Sequence, residues 1–223
     1  CMTVLALKGS RHANGVSALH SNVSRQMWQG LYPNRPEAEV PIGHITNGVH
    51  VLSWIAPQMN KLFEAQLAHN WPTRMIHADM WEKVADIDDG ELWEIHQILN
   101  MRLINFVRRR LIRRAERLAQ QETIQEIDQI LDPDILTIGS ARRLATYKRG
   151  DLILSQPKRL VSLVTDPDRP LQIIFAGKAH PRDDEGKKIL QHIMQYGNMP
   201  ELKRRIVFVE DYDYNIARHL VQG

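Results

Sequence analysis

Short apolar runs alternate with segments of helical spacing along the last third of the chain. The runs have the composition of strands that are buried on both faces, and they are 134–139, 171–177 and 205–210. Apolar residues then recur every three or four positions in segments at about 150–165, 184–196 and 213–221. This β-α-β-α-β-α order predicts a parallel sheet with crossover helices, the first half of a doubly wound α/β domain.

Upstream of this region the hydrophobic pattern is mainly helical. Apolar residues spaced by three and four predict a helix over 16–28, after a turn at Asn14-Gly15. A second helix is predicted over 53–70. From about 89 to 130 the chain has helical periodicity and no proline, which predicts one long helix or two in succession.

Composition and charge narrow the class of protein. The 223 residues are 43% hydrophobic and 25% charged, and a net charge of +3 requires neither a nucleic acid nor a membrane as partner. Cys1 is the single cysteine, so no internal disulfide framework can form. No apolar run approaches the ~18 residues of a membrane-spanning helix, and the first residues lack the pattern of a signal peptide. We therefore expect a cytoplasmic protein.

Several familiar catalytic patterns are missing from the sequence. The ten histidines are scattered without the spacing of metal ligands, so we expect no metal site. The chain has no Walker loop, no G-x-G-x-x-G and no G-x-S-x-G sequence. Nucleotide hydrolysis and serine-based hydrolysis are therefore poor hypotheses.

One cationic stretch stands directly after the first predicted strand of the sheet. Four cations and a phenol occur within eight residues, and they are Arg142, Arg143, Tyr147, Lys148 and Arg149. The carboxyl end of a parallel sheet is where open α/β folds bind ligands, and a helix start there would add its own positive field. The pattern predicts a site for one or more phosphate groups; a solvated basic loop is the alternative.

A second cationic segment lies in the predicted long helix. Seven arginines fall between Arg102 and Arg117, beside an apolar stripe. A solvated helix face is the plainer interpretation, and a surface for a polyanion or another subunit is the alternative.

Taken in chain order, several segments resemble the α-glucan phosphorylases, which act on glycogen, starch or maltodextrin. The matching motifs are Gly9-Ser10, Asn14-Gly15-Val16, Leu19-His20-Ser21, Thr46-Asn47-Gly48 with Trp54, Arg143 with Tyr147-Lys148-Arg149, Gly177-Lys178-Ala179 with Pro181, and Val207-Phe208 with Glu210 and Tyr212. The resemblance spans essentially the whole chain. It is greatest to the shorter, divergent branch of bacterial and archaeal enzymes.

The resemblance implies a two-domain, Rossmann-like architecture of the GT-B glycosyltransferase type. Residues 1–45 would end the N-terminal glucan-binding domain, 46–130 would form the helical start of the C-terminal domain, and 131–223 would be the incomplete first half of its sheet. The family's cofactor lysine would lie beyond Gly223 in a longer protein. We therefore expect the chain by itself to be inactive.

The activity implied is phosphorolysis of α-1,4-glucans. Inorganic phosphate would take the glucosyl unit at the non-reducing end, giving glucose 1-phosphate with retained configuration. The implied cofactor is pyridoxal 5'-phosphate, which would contribute its phosphate group. The resemblance leaves a homodimer open.

Family position also implies a role for individual residues. Arg143 and Lys148 would hold the substrate phosphate, Arg142 would contact the cofactor phosphate, and Trp54 would pack beside the pyridoxal ring. The contacts to sugar would come from Asn14, Gly15, Val16, Asn47 and Tyr147.

The chain departs from the better-known members at two places. They have Lys at the position of Arg142 and His-Glu at that of Ala145-Thr146, so the charge is kept while the fine contacts differ. Two other functions stay open: a nucleotide-sugar-dependent glycosyltransferase of the glycogen or starch synthase type, and a non-catalytic glucan-binding module.

Overall fold

The chain divides between Val51 and Leu52 into two units, each with its own internal contacts. The computed structural model describes the backbone of residues 1–223 and every side chain except those of 121–123. The three-part division into 1–45, 46–130 and 131–223 remains a prediction. Among the described residues, no helix is both long and apolar enough to cross a membrane.

The first unit contains two helices and a short parallel ladder. Its elements are α1 (Met2–Gly9), β1 (Ala13–Gly15), α2 (Ala18–Trp28) and β2 (Ile42–His44). The predicted helix is present as α2, and the Ser17 side chain caps it by accepting the His20 N–H. Asn14-Gly15 lies in β1 and not in a turn, because Ala13 to Gly15 pair in parallel with Ile42 to His44.

The second unit places helices around a three-stranded sheet. The helices are α3 (Val51–Trp54), α4 (Pro57–Gln66), α5 (Ala78–Glu82), α6 (Asp89–Arg117), α7 (Gln121–Glu126), α8 (Pro157–Val164), α9 (Asp184–Gly197) and α10 (Tyr214–Gln222). The strands are β3 (Leu136–Arg143), β4 (Leu171–Lys178) and β5 (Ile206–Val209). All three strands are parallel, in the order β3-β4-β5. The predicted parallel α/β arrangement is confirmed.

Alternate residues of β4 and β5 bury into two separate cores, whereas β3, predicted to be buried on both faces, has no fully buried residue because it lies at the edge of the described sheet. Ile173 and Phe175 of β4 join the core formed with α8 and α9, while Ile174 and Ala176 join the core formed with α6 and α10. Because side chains alternate across a strand, a run that is apolar at every position must be covered on both faces. This sandwich of helices around the sheet fixes the carboxyl ends of β3 and β4 in space.

Three predicted elements have different bounds in the structure. β3 runs four residues further than predicted, because the polar and cationic residues 140–143 pair with 175–178 of β4. The helix predicted over 150–165 is shorter, since 3-10 turns occupy 146–148 and 152–155 and α8 begins only at Pro157. The segment 53–70 breaks before Pro57, because a residue that precedes proline disfavours the helical backbone.

A buried glutamine ties the start of β3 to β4. The Gln172 side chain is fully buried, its amide oxygen accepts the Asp132 N–H at 2.9 Å, and its amide nitrogen donates to the Asp132 carbonyl at 2.7 Å. The same nitrogen lies 2.7 Å from the Thr137 hydroxyl oxygen. Together these bonds satisfy backbone groups that the sheet itself does not pair.

Replacing Gln172 by leucine is expected to destabilise the protein by about 1–3 kcal/mol, since the partly buried backbone groups of Asp132 would lose their partners. Denaturant unfolding of the intact protein measures the change. Gln195→Leu is the matched control, because Gln195 is exposed on α9. Equal unfolding midpoints for the two variants would contradict the assigned role.

Candidate functional site

Three cations lie at the carboxyl ends of two neighbouring strands. Arg142 and Arg143 end β3, and they stand opposite Gly177 and Lys178 at the end of β4. Because neighbouring residues on a strand point to opposite faces, Arg142 points to the side of α8 and α9, and Arg143 to the side of α6 and α10. Lys178 shares the side of Arg143, since paired residues of adjacent strands share a face. The structure thus separates the two arginines that are adjacent in sequence.

The loop 144–150 brings Lys148 back towards the strand end. Leu144 is buried and its N–H donates to the Lys178 carbonyl at 3.0 Å, so the loop begins firmly attached to β4. The chain then makes a 3-10 turn over Thr146–Lys148 and reverses through Arg149, which has a left-handed backbone with φ 48°. Arg142 closes the loop by donating from its guanidinium to the Lys148 carbonyl at 2.9 Å.

Two glycines allow this loop to pack closely on its neighbours. A Cβ on Gly177 would lie 2.5 Å from the Arg142 carbonyl oxygen, and one on Gly186 would lie 2.2 Å from the Leu144 carbonyl oxygen. Neither distance is compatible with a side chain. Gly186 is also fixed by the cap of its own helix, since the carboxylate of Asp183, just before α9, accepts the Gly186 N–H at 2.9 Å. Sequence reasoning noted the Gly177 motif but missed the role of Gly186, which only the fold brings beside the loop.

Positive charge at this edge is not neutralised within the described part of the chain. None of its ion pairs includes Arg142, Arg143, Lys148, Arg149 or Lys178. The nearest acidic residue in sequence, Asp151, is engaged by His192, whose Nδ1 lies 3.1 Å from its carboxylate. A cluster of guanidinium groups, which can donate two parallel hydrogen bonds, and of lysine ammonium groups suits the binding of an oxyanion.

The helix that follows the loop in sequence does not start beside this cluster, because α8 begins at Pro157, after the turn at 152–155. The first turn of α9 packs on the loop instead, through Gly186. Tyr147 lies in the same loop with its side chain 75% exposed, and the Lys148 ammonium lies 5.8 Å from the centre of its ring. The phenol is therefore free to bind a ligand that approaches this edge.

Trp54 lies against α10. Its ring centre is 4.9 Å from that of Tyr214, at an interplanar angle of 54°, and its carbonyl accepts the Gln222 amide at 3.0 Å. Its recorded hydrogen bonds and ring contacts are with α10, and none of them reaches the loop 144–150. The two aromatic rings form an apolar wall on this helix.

The first unit brings two distant motifs together. The Asn47 N–H donates to the Val16 carbonyl at 3.1 Å, next to a bond from the Ile45 N–H to the Gly15 carbonyl at 3.0 Å. These bonds extend the β1-β2 pairing, so Asn14, Gly15, Val16 and Asn47 share one end of the ladder. Both motifs are identified in the sequence, but nothing in the sequence indicates that they pair.

Local contacts fix the conformation of residues 14–16. The His20 Nδ1 accepts the Val16 N–H at 3.1 Å, which orients the backbone before α2. A Cβ on Gly15 would lie 2.7 Å from the Ser21 backbone nitrogen, so no side chain fits there. Asn14 and Asn47 are exposed or partly exposed, which leaves their amides available to a polar ligand.

Within the residues described, no three or more His, Cys, Asp or Glu side chains form a group that could hold a metal ion.

Comparison with known proteins agrees with this picture. A family model described as carbohydrate phosphorylase matches residues 1–223. Glycogen phosphorylase of Aquifex aeolicus is 43% identical over 222 residues, which are 99% of this chain and 32% of that protein. Maltodextrin phosphorylase of Thermococcus litoralis is 41% identical over 222 residues, covering 100% of this chain and 26% of that protein.

A third relative has a similar sequence identity to this chain. Glycogen phosphorylase of Mycobacterium tuberculosis is 40% identical over 223 residues, covering 100% of this chain and 26% of that protein. The chain thus spans between 26% and 32% of the length of these three relatives. With the family model matched from end to end, the chain belongs to the carbohydrate phosphorylase family.

Proposed function

We propose that the protein containing this chain is an α-glucan phosphorylase. It transfers the terminal glucosyl unit of an α-1,4-glucan to inorganic phosphate and releases glucose 1-phosphate with retained configuration. The observation that carries the proposal is the group of cations without carboxylate partners at the ends of β3 and β4. The relatives, whose names specify glycogen and maltodextrin phosphorylases, supply the substrate class.

Arg143 and Lys148 hold the substrate phosphate in this proposal. A guanidinium offers two parallel N–H donors to a phosphate, and an ammonium adds a point charge that adapts to the remaining oxygens. A glucosyl unit that leaves its chain develops positive charge, and a phosphate dianion held beside it stabilises that charge. The protein thus has to bind and orient an anion, and not to supply a carboxylate pair as glycosidases do.

The family implies pyridoxal 5'-phosphate as cofactor, and the residues present fit such a group. Arg142 is a cation without a carboxylate partner at the end of the same strand as Arg143, which suits a second phosphate at this edge of the sheet. Trp54 and Tyr214 provide an aromatic surface for a pyridine ring. When bound, the cofactor supplies a phosphate group that exchanges a proton with the substrate phosphate. Arg142 would hold that group and Trp54 would pack beside its ring.

The sugar is bound by amide and hydroxyl groups. Tyr147 and Asn47 would each hydrogen-bond a sugar hydroxyl, since both present exposed polar groups. Asn14, Gly15 and Val16 would shape the glucose pocket, and their backbone packs closely on α2 because Gly15 is buried and has no room for a side chain. Asn14 donates its amide to the Gly15 carbonyl at 3.3 Å, which leaves its carbonyl oxygen to accept from a ligand.

The proposal is tested on the intact protein with maltodextrin and inorganic phosphate. We expect glucose 1-phosphate to form with no nucleotide sugar present, and pyridoxal phosphate to be released on denaturation in a one-to-one ratio. Glucan elongation that requires a nucleotide sugar would instead identify a synthase. Glucan binding with neither product nor cofactor would identify a binding module.

A further inference from the structure

The seven arginines of α6 fall into two groups in the structure. Four have protein partners: Arg108 binds the carbonyls of Ile130 and Leu131, Arg110 pairs with Asp213, and Arg114 and Arg117 pair with Glu210. Arg102, Arg109 and Arg113 are exposed, and none of them has a hydrogen bond or ion pair among the described residues. The structure therefore explains four arginines as structural and leaves three without a partner.

Two of these three lie beside a histidine of α10. Arg102 and Arg109 are two helical turns apart, so they project from the same side of α6 about 10 Å from each other. Phe106 lies between them along the axis of α6. The His219 ring stacks on Phe106, with 3.9 Å between ring centres and 9° between ring planes. Arg218 precedes this histidine on α10 and donates to the neutral Asn215 side chain at 3.3 Å, its one hydrogen-bond partner in the described part of the chain.

The histidine presents one free nitrogen. Its Nδ1 lies 2.8 Å from the Asn215 carbonyl, to which it must donate, so its Nε2 is the atom left for another partner. The ring is only partly buried. A group that arrives from solvent can therefore reach both Nε2 and the neighbouring guanidinium groups.

The local field around this ring is positive. Burial lowers the pKa of His219 most, the Asn215 carbonyl opposes that effect, and Arg102, Arg218 and Arg109 lower the pKa further. These arginines come from both helices packed at the ring, and no carboxylate acts on it among the described residues. Arg110, which lies over the other ring of the stack, is already paired with Asp213. The cluster thus carries like charges with no counter-ion from the protein.

We propose that Arg102, Arg109, Arg218 and His219 form a phosphate-binding site, here called the seam site, on the outer side of α6 and α10. Three guanidinium forks and one ring nitrogen match the donors that a phosphate dianion needs. Phe106 and its neighbours separate these residues from the sheet, and none of them belongs to the loop 144–150. The seam site does not depend on the proposed catalytic activity.

A phosphate group can come from the free ion or from a phosphate ester, and the same residues would bind either. A bound dianion neutralises the repulsion among the three arginines and favours the charged form of His219. Binding is therefore expected to raise the pKa of His219, which couples phosphate uptake to proton uptake.

The test is calorimetric titration of the intact protein with inorganic phosphate at constant ionic strength set by chloride. The Arg143→Ala background is used so that binding at the loop does not dominate the signal. We expect Arg102→Gln and Arg109→Gln each to weaken phosphate binding at least tenfold. Arg113→Gln is the matched control, because Arg113 is exposed on the same helix and lies one turn beyond the cluster. Glucose 1-phosphate in parallel distinguishes an ester site from a site for the free ion.

A second readout follows the proton. Just below pH 6.5, the ordinary histidine value, His219 should take up a proton on binding, while the phosphate itself releases one as its dianion is bound. His219→Phe keeps an aromatic ring on Phe106 and should remove the uptake, so that the buffer dependence of the binding heat shows more protons released than in the parent. Equal weakening by Arg113→Gln would overturn the seam site in favour of general surface charge, and so would phosphate binding that survives both Arg102→Gln and Arg109→Gln.

Discussion

Arg143→Ala is expected to lower phosphorolysis by about 100- to 1000-fold, the scale seen when one donor to a developing anion is removed. The reason is geometric, since Arg143 is the last residue of a strand whose pairing with β4 fixes where its guanidinium begins. Lys178 on the same side cannot reproduce the fork of a guanidinium. Arg143→Lys should therefore also lower the rate of phosphorolysis, though less than Arg143→Ala. Initial rates with maltodextrin and phosphate measure it.

The matched control for this prediction is Arg169→Ala. Arg169 is an exposed arginine just before β4, at the opposite end of the sheet from the cationic edge. We expect its removal to leave both the rate and the phosphate dependence unchanged. If Arg143→Ala kept more than about a tenth of the parent rate, where one lost donor should cost 100-fold or more, Arg143 would not be the residue that holds the substrate phosphate.

Gly186→Ala is expected to destabilise the protein and to disrupt the site, although alanine is the better helix former. Helix propensity alone predicts a gain of about 1 kcal/mol for this change in α9. The added Cβ would, however, lie 2.2 Å from the Leu144 carbonyl oxygen, so the loop 144–150 would have to move. Overpacking of this kind costs about 1–3 kcal/mol or more, which outweighs the propensity.

Denaturant unfolding and initial rates together measure the Gly186→Ala effect. A displaced loop carries Lys148 with it, so activity should fall along with stability. Gly150→Ala is the matched control in the same loop, because its Cβ would meet side-chain atoms only at 3.4 Å and 3.5 Å. A Gly186→Ala protein as stable as the parent would show that the loop adapts at little cost.

Sequence periodicity was sufficient for the elements that bury apolar residues. β4, β5, α9 and α10 lie close to their predicted bounds, because each buries a regular set of side chains in one of the two cores. The end of β3 was not predictable in this way. Residues 140–143 carry polar and cationic side chains, and only the pairing with β4 keeps them extended.

The parts of the site that depend on contacts distant in sequence were also beyond prediction. The motif at 14–16 and the motif at 46–48 were each recognised, but the bond from Asn47 to Val16 depends on how β1 and β2 pair. Likewise the sequence counted seven arginines on one helix and could not tell which had partners. Arg108 binds carbonyls just before β3, while the partners of the other three arginines, Glu210 and Asp213, lie between β5 and α10, about a hundred residues further along the chain.

The alternation of Arg142 and Arg143 across β3 has a consequence for insertions and deletions. A change of one residue within β3 would exchange the two guanidinium groups between the faces of the sheet, together with partly buried side chains such as Ile138 and Ala141. The connection at 165–170, which carries no cation of the site, is free of that constraint. Chain length between 136 and 148 is therefore as strictly fixed as the identity of the two arginines, while the turn at the opposite end of the sheet can gain or lose residues without moving either of them.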